Sequence, residues 1–357
     1  MTTRLIENLR ENWLYWLIIL FLLAFPFLVA AQTGSSPFGE PRGDRMVMRG
    51  ESVRWQAVMI EIFILAILAM SYNLMFGFTG VLSFGHALFF GLSGYIIGLM
   101  LEYTGLDNGI ALILGIGLAI AINGILGLLI GLVSLRLKGV YFAIFTLAVA
   151  EMAFIFFGRF ALTRAEDGFT LTHVPIWLDA TQNRITLYYV ALGMGIFTFF
   201  AIRRLINSPT GAVFKAIREN EDRAQSIGYN TLTFKLIAIT IASMLAASAG
   251  VLQVLLNKKV GPELLGIGNT VDPLLMTIIG GIGSFTGPVI GATGLHLLDT
   301  NIREATITIG STVLHVSDFW GLLLGAIFIL AVMVFPQGVV GTWIRLRMRW
   351  QKFTKSA

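Results

Sequence analysis

The sequence predicts an all-α integral membrane protein, a polytopic helical bundle of about 8–10 transmembrane segments, some of them broken or re-entrant. Three observations point there. Apolar runs of about 20 residues recur along the chain, the length that spans a bilayer core at the helical rise of about 1.5 Å per residue. Hydrophobic residues make up 56% of the 357 and charged ones 13%, about half the charged share of a soluble domain. Late in the chain, two apolar stretches too short to cross are joined by a glycine-rich turn.

The first run, Trp13–Ala31, has a longer apolar core than a secretory signal, and its flank mixes Arg4 and Arg10 with Glu7 and Glu11. Residues 1–31 therefore read as an uncleaved N-terminal membrane helix, and residues 32–55 as a polar, external loop. Further runs lie at Gln56–Phe76, Phe84–Leu101, Ile110–Leu135, Val140–Phe157, Leu187–Ala201, Leu236–Leu256 and Phe319–Phe335. Between the last two, Val271–Ile279 and Pro288–Leu298 flank "GGIGSFTG" (Gly280–Gly287). Short pairs interrupted by glycine form broken or re-entrant helices lining a protein-buried cavity.

Lys and Arg set the sidedness. With the N-terminus inside, the inner segments hold Arg4, Arg10, Arg136, Lys138, Arg203, Arg204, Lys215, Arg218, Arg223 and Lys235, plus a basic tail with Arg345, Arg347, Arg349, Lys352 and Lys355. That is most of the 25 cations in the chain. The loop bearing Arg42, Arg45, Arg49 and Arg54 disagrees, and Glu40, Asp44 and Glu51 nearly balance it. Both termini are expected in the cytoplasm of a cell with the chain in its inner or plasma membrane.

The net charge of +5 is small for this size and gives nucleic acid no footing. The chain has no cysteine, which removes disulfides and thiolate chemistry. His86, His173, His296 and His315 are scattered without ligand spacing, and no phosphate-cradling Gly-x-x-x-x-Gly-Lys-Ser/Thr loop occurs. No catalytic residues, metal site or cofactor are expected, and ATP hydrolysis would belong to other subunits.

The most polar stretch, Ser208–Asn230, lies between two membrane runs. Ser208-Pro209 is a helix start and Gly228 a stop able to take the left-handed conformation. Val213, Ile217, Ala224 and Ile227 share one stripe with Asn220 inside it, and Lys215–Glu219, Arg218–Asp222 and Glu219–Arg223 fall at ion-pair spacing. Such a helix serves as a solvated connector, lies on headgroups, or docks a cytoplasmic protein, and periodicity does not choose among these.

Glu61, Glu151, Asp272 and Asp299 lie in or beside membrane runs. A charge at the bilayer centre costs about 2.5–3.5 kcal/mol, so each faces protein, water or headgroups. Glu151 is the mid-run case and the best pathway candidate. Gly80, Ser83 and His86 in the first broken region, and Gly280, Gly281 and Gly283 in the second, are the other pathway candidates. Their placement in opposite halves of the chain hints at an internal repeat.

Four segments carry a family resemblance. "AIRENEDRAQSIGYN" (Ala216–Asn230) resembles the cytoplasmic coupling segment of permease subunits of branched-chain amino-acid ABC importers, of the LivM type. "GFTGVLSFGHALFFGLSGY" (Gly77–Tyr95), "LRLKGVYFAIFTLAVAEM" (Leu135–Met152) and "LLMTIIGGIGSFTGPVIGA" (Leu274–Ala292) are similar to three further stretches of that family. Order and spacing agree from Ala57 to Phe335. Two departures stand out: Asp222-Arg223-Ala224 replaces a Glu-Ala-Ala, and Arg164-Ala165 in "LTRAEDG" replaces two glycines.

The resemblance implies a permease domain at 56–338 with a coupling segment at 203–235 and a basic cytoplasmic tail at 339–357. It implies a second, related permease subunit as heterodimer partner, two cytoplasmic ABC ATPase subunits and an extracytoplasmic solute-binding protein. ATPase contacts would fall on Arg218, Glu219, Asn220, Glu221 and Arg223, with Gly228 setting the exit angle. The solute would be a branched-chain or similar amino acid, with urea or short amides as the alternative within the family. An ion-coupled secondary transporter, motivated by the intramembrane carboxylates, is the rival class; an intramembrane enzyme finds no catalytic constellation.

Overall fold

The computed structural model describes residues 13–42, 45–137, 139–303, 306–309, 312–315, 320–335, 337–343 and 345–347. Arg4, Arg10, Lys138, Arg349, Lys352 and Lys355 lie outside the described residues, as does most of the tail. The helices are α1 (Trp13–Thr33), α2 (Glu51–Thr79), α3 (His86–Tyr103), α4 (Asn108–Ser134), α5 (Val140–Arg159) and α6 (Arg184–Ile206). The short α7 (Pro209–Glu219) and α8 (Glu221–Ser226) follow, then α9 (Thr231–Asn257), α10 (Gly268–Gly280), α11 (Gly287–Arg303) and α12 (Trp320–Val334). Among the described residues, seven helices, α1 to α6 and α9, are long and apolar enough to cross a membrane. The chain is a multi-pass, all-helical membrane protein; the shorter α10 and α11 are the short pair the sequence calls for, and α12 lies in the run read as a last span at Phe319–Phe335.

Among the described residues, strand is confined to three two-stranded antiparallel pairs: β1 (Glu40–Arg42) with β2 (Arg45–Val47), β3 (Phe169–Thr170) with β4 (Lys259–Val260), and β5 (Thr306–Ile309) with β6 (Thr312–His315).

Local chemistry sets several boundaries. Asp107 Oδ1 accepts from Gly109 N at 2.9 Å and starts α4. Asn230 Oδ1 accepts from Thr233 N at 3.3 Å and starts α9. Pro26 inside α1 has no N–H to give the Leu22 carbonyl. Tyr188 of α6 fills that vacancy, its hydroxyl donating to Leu22 O at 2.6 Å, while Tyr189 donates to Leu23 O at 3.0 Å. An apolar medium offers no water to freed carbonyls, so a neighbouring helix must answer them.

Two helices, α2 and α9, form the buried centre, with most of their length out of contact with the surroundings. They run antiparallel: Met70, Leu74 and Phe78 near the end of α2 pack with Ala238 and Leu245 near the start of α9. Around them the chain repeats itself upside down. Helix α3 runs parallel to α9, Phe90 O against Gly250 and Gly94 against Val254, and α4 runs antiparallel to it, Gly127 against Ser243. Helix α10 likewise runs parallel to α2, with Thr277 Oγ1 donating to Ala69 O at 3.2 Å, and α11 antiparallel, with Ala292 beside Ala66. The units α2–α3–α4 and α9–α10–α11 are thus inverted copies, each resting on the long helix of the other.

This places the internal repeat differently from the sequence reading. The break at 80–85 corresponds to the break at 258–267, where Lys258 and β4 leave α9, and not to Gly280–Gly287. That second glycine turn is the tip of a helical hairpin. It lets α10 and α11 touch backbone to backbone, Gly280 against Gly287 and Met276 O against Gly291.

Candidate functional site

The polar stretch after α6 is two helices rather than one. Asn220 leaves the helical region at φ −160, ψ 105, and its side chain accepts from Arg223 N at 2.9 Å to start α8. A short polar side chain that competes with the helix for backbone donors makes this break. Two of the expected ion pairs, Arg218–Asp222 and Glu219–Arg223, span the break and do not form, nor does Lys215–Glu219, among the described residues. Glu221 pairs instead with Lys235 on α9. Ser208 does not cap; its hydroxyl turns back to Leu205 O at 2.6 Å. Gly228 ends α8 at φ 96, in the left-handed region as expected.

Val213, Ile217 and Ala224 form one buried cluster, while Ile227 is 68% exposed because the turn at the break re-aims the short second helix. Phe214 is fully buried among side chains of α2, α6 and α9. The hairpin α7–α8 is therefore seated on three spans, with Arg218, Glu219, Asn220, Arg223 and Gly228 exposed and Glu221 half-buried. Ile227, Tyr229 and Leu232 add exposed apolar area beside these charges.

Beneath the hairpin, Arg218 stands on both glycine-broken regions. Gly80, which ends α2 at φ 75, lies against the Arg218 backbone: a Cβ there would be 3.6 Å from Arg218 Cα. Gly283, at φ 74, lies under the guanidinium, and a Cβ on it would strike Nη1 and sit 2.8 Å from Gly77 O. Asn73 then clasps the same turn, Nδ2 donating to Ser284 O and Oδ1 accepting from Gly283 N, each at 2.9 Å. Residues 338–343 close the other side, Gly338 packing on Gly281.

One helical turn deeper, the 80–85 break is held from several sides. Ser71 Oγ is 2.8 Å from His86 Nε2, and Tyr72 donates to Ser83 O at 3.0 Å. Thr146 of α5 accepts from Phe84 N at 3.0 Å, and Thr270 of α10 accepts from Ala87 N at 2.7 Å. His86 and Ser83 are buried. Among the sequence candidates, Gly80, Gly281, Gly283 and Arg218 come together, Gly280 packs in the hairpin neck, and Ser83 and His86 lie deeper in the break. Glu151 does not join them; it is exposed on the outer stripe of α5. Glu61 meets His296 of α11 at 3.1 Å.

Sequence reasoning missed Ser71, Tyr72 and Asn73. Their signal is plain in retrospect: three consecutive polar groups inside an otherwise apolar run. In a membrane helix each needs a partner, and at about 100° per residue consecutive groups point to different neighbours.

At the opposite end, the segment between α5 and α6 folds over the second break. Leu171 N donates to Lys258 O at 2.8 Å, alongside the β3–β4 pair. Lys258 Nζ reaches Asp179 Oδ2 at 2.8 Å, and Glu102 at the end of α3 accepts from His173 N at 2.9 Å. Burial pushes the Asp179 carboxyl up, but hydrogen bonds from Lys258 and Thr181 outweigh it and hold its pKa below the usual value.

Sequence comparison decides what kind of protein has this architecture. The family described as the permease component of branched-chain amino acid transport systems matches residues 56–332. The chain belongs to that family. The permease is 26% identical over 309 residues to the high-affinity branched-chain amino acid transport system permease protein LivM of Salmonella typhimurium, covering 80% of this chain and 69% of the relative. Against the probable LivM of Methanocaldococcus jannaschii it is 27% identical over 256 residues, 63% of this chain and 74% of that one. It is also 26% identical over 185 residues to the autoinducer 2 import system permease protein LsrC of Photorhabdus laumondii, 51% of each chain. The permease is thus a non-catalytic membrane subunit of an ABC transporter.

Proposed function

We propose that this subunit carries branched-chain or similar amino acids inward and is driven by separate ATPase subunits that grip α7–α8 from the cytoplasm. The observation that carries this reading is Arg218, at once exposed beside Glu219 and in contact with both Gly80 and Gly283. A displacement of the exposed hairpin reaches both broken segments through one side chain. Exposed charges suit a grip that is wet and re-formed each cycle, and the seat of Phe214 among three spans keeps the hairpin from sliding free.

In this reading the segment 203–235 is the coupling element, both termini are cytoplasmic, residues 32–55 form an external loop and residues 339–357 a basic inner tail. A second, related permease completes the membrane portion, with a solute-binding protein docking on the face that carries β3 and β4. The amino-acid assignment leans on the family and on the relatives named for branched-chain transport. The LsrC likeness makes autoinducer 2 the competitor solute.

Replacing Glu219 and Arg223 together by alanine is expected to abolish co-purification of the ATPase subunits while the chain still inserts. Arg218→Ala is expected to leave that association in place and to lower ATP-driven leucine uptake about tenfold or more. Undiminished association in the double variant overturns the docking role. Proton coupling has one observation in its favour, the Glu61–His296 contact. Leucine accumulation by this chain on a proton gradient, without ATPase subunits, would replace the ATP-driven reading with that one.

A further inference from the structure

The face of α5 that carries Glu151 leads to a cavity. Ile144, Ala148, Glu151, Ile155 and Arg159 recur at helical spacing and are all exposed. Where this stripe reaches the end remote from α7–α8, a cavity of about 360 Å³ opens between α5, the short helical turn at Ala165–Asp167 and the α9–α10 break. Its walls include Arg159, Glu166 and Glu263, and its apolar lining is Phe154, Ile155 and Pro262.

The charges in this cavity are arranged unusually. Glu263 is taken by Lys259 at 3.0 Å. Arg159 and Glu166 share the cavity yet form neither an ion pair nor a hydrogen bond with each other or with any other described residue. In a second cavity, about 770 Å³ beside the start of α2, Arg49 is likewise unpaired among the described residues, but the carboxylates are engaged. There Arg54 meets Glu51, Glu61 meets His296, and Arg184 donates to Val53 O.

A free guanidinium and a free carboxylate held apart over an apolar lining complement a zwitterion with a hydrocarbon side chain. The guanidinium fork suits a carboxylate, the Glu166 carboxylate suits an ammonium, and Phe154, Ile155 and Pro262 suit a branched alkyl group. Glu151 lies further along the same stripe, one turn inward from Ile155. A carboxylate there is costly if lipid covers it, so the stripe is better placed on a wet seam.

We infer that this cavity is the outer binding site for an apolar α-amino acid and that Glu151 is the next acceptor for its ammonium group. The inference rests on the importer reading for the direction of travel, but not for the recognition chemistry. Arg159 binds the carboxylate, Glu166 the ammonium, and release inward hands the ammonium to Glu151.

The absence of native cysteine makes the test direct. In the assembled transporter in vesicles, Ile155→Cys supplies a single thiol on the cavity wall, with Phe154→Cys as the substitute should it fail to accumulate. The rate of reaction with a small cationic methanethiosulfonate is measured with and without L-leucine, 4-methylpentanoate or isopentylamine. L-Leucine is expected to slow labelling about tenfold and each half-molecule less than about twofold, while Arg159→Gln or Glu166→Gln removes the leucine effect. Thiols that are unreactive, unprotected by leucine, or protected equally by 4-methylpentanoate overturn the site. Retained ATPase association in the same preparations separates failure of this inference from failure of the importer reading.

Discussion

At Gly80 the chain leaves α2 in the left-handed region, φ 75, and at Lys258 it leaves α9 the same way, φ 54. Both departures lead into a helix that lies parallel to the other long span, the first through residues 81–85 and the second through β4 and a short helical turn at Pro262–Leu265. The residues that cover them differ in kind. The first is covered by a long, flexible side chain, Arg218, over glycine and an Asn73 clasp. The second is covered by a short β-pair, the Leu171–Lys258 backbone bond and the Asp179–Lys258 ion pair. One cover is a single exposed side chain, and the other is backbone pairing backed by an ion pair.

Three substitutions sharpen or break that contrast. Gly283→Ala has the largest expected effect, a loss of about 3 kcal/mol in detergent unfolding. The new Cβ adds left-handed strain to overpacking against Gly77 O. Should Gly283→Ala unfold like the parent, the hairpin tip is not the tight joint described here.

Asp179→Asn comes next, at about 2 kcal/mol, since it leaves the Lys258 ammonium without its charged acceptor. Because the native pKa of Asp179 is lowered, its contribution is full above the ordinary carboxylate range and is lost as pH falls through the lower native value. The parent should therefore lose thermal stability below about pH 4 more steeply than the variant does. Parallel pH profiles would remove the clamp from the account. Gly80→Ala should be mildest, about 1–2 kcal/mol of backbone strain, because the contact at 3.6 Å leaves room for a methyl group. A larger loss would mean that Arg218 is as tightly packed on Gly80 as on Gly283.

Much of this architecture is legible in the sequence. Run lengths identify the spans, proline and glycine bracket the polar hairpin, and the GGIGSFTG turn marks a short helical pair. Three features are not. The interruption at Asn220 depends on a side chain choosing backbone donors over helix continuity, which periodicity counts as one more polar position. The Asn73 clasp joins residues 210 and 211 apart, and nothing local announces its partner. The true internal repeat is hidden because Lys258, an ordinary lysine, does at one break what Gly80 does at the other. The cover differs in chemistry and the second connection is longer, although both begin with a left-handed residue and end in a helix lying along the other long span.

Ser71, Tyr72 and Asn73 occupy three successive bearings around one central rod. They hold, in turn, the imidazole at the head of α3, the carbonyl of Ser83 and the tip of the α10–α11 hairpin. A few degrees of torsion in α2 would therefore be felt by all three at once. Thr270 of α10 also holds the head of α3 through Ala87 N, so the three partners are joined to one another as well as to the rod, and a twist of α2 would have to carry them as one body.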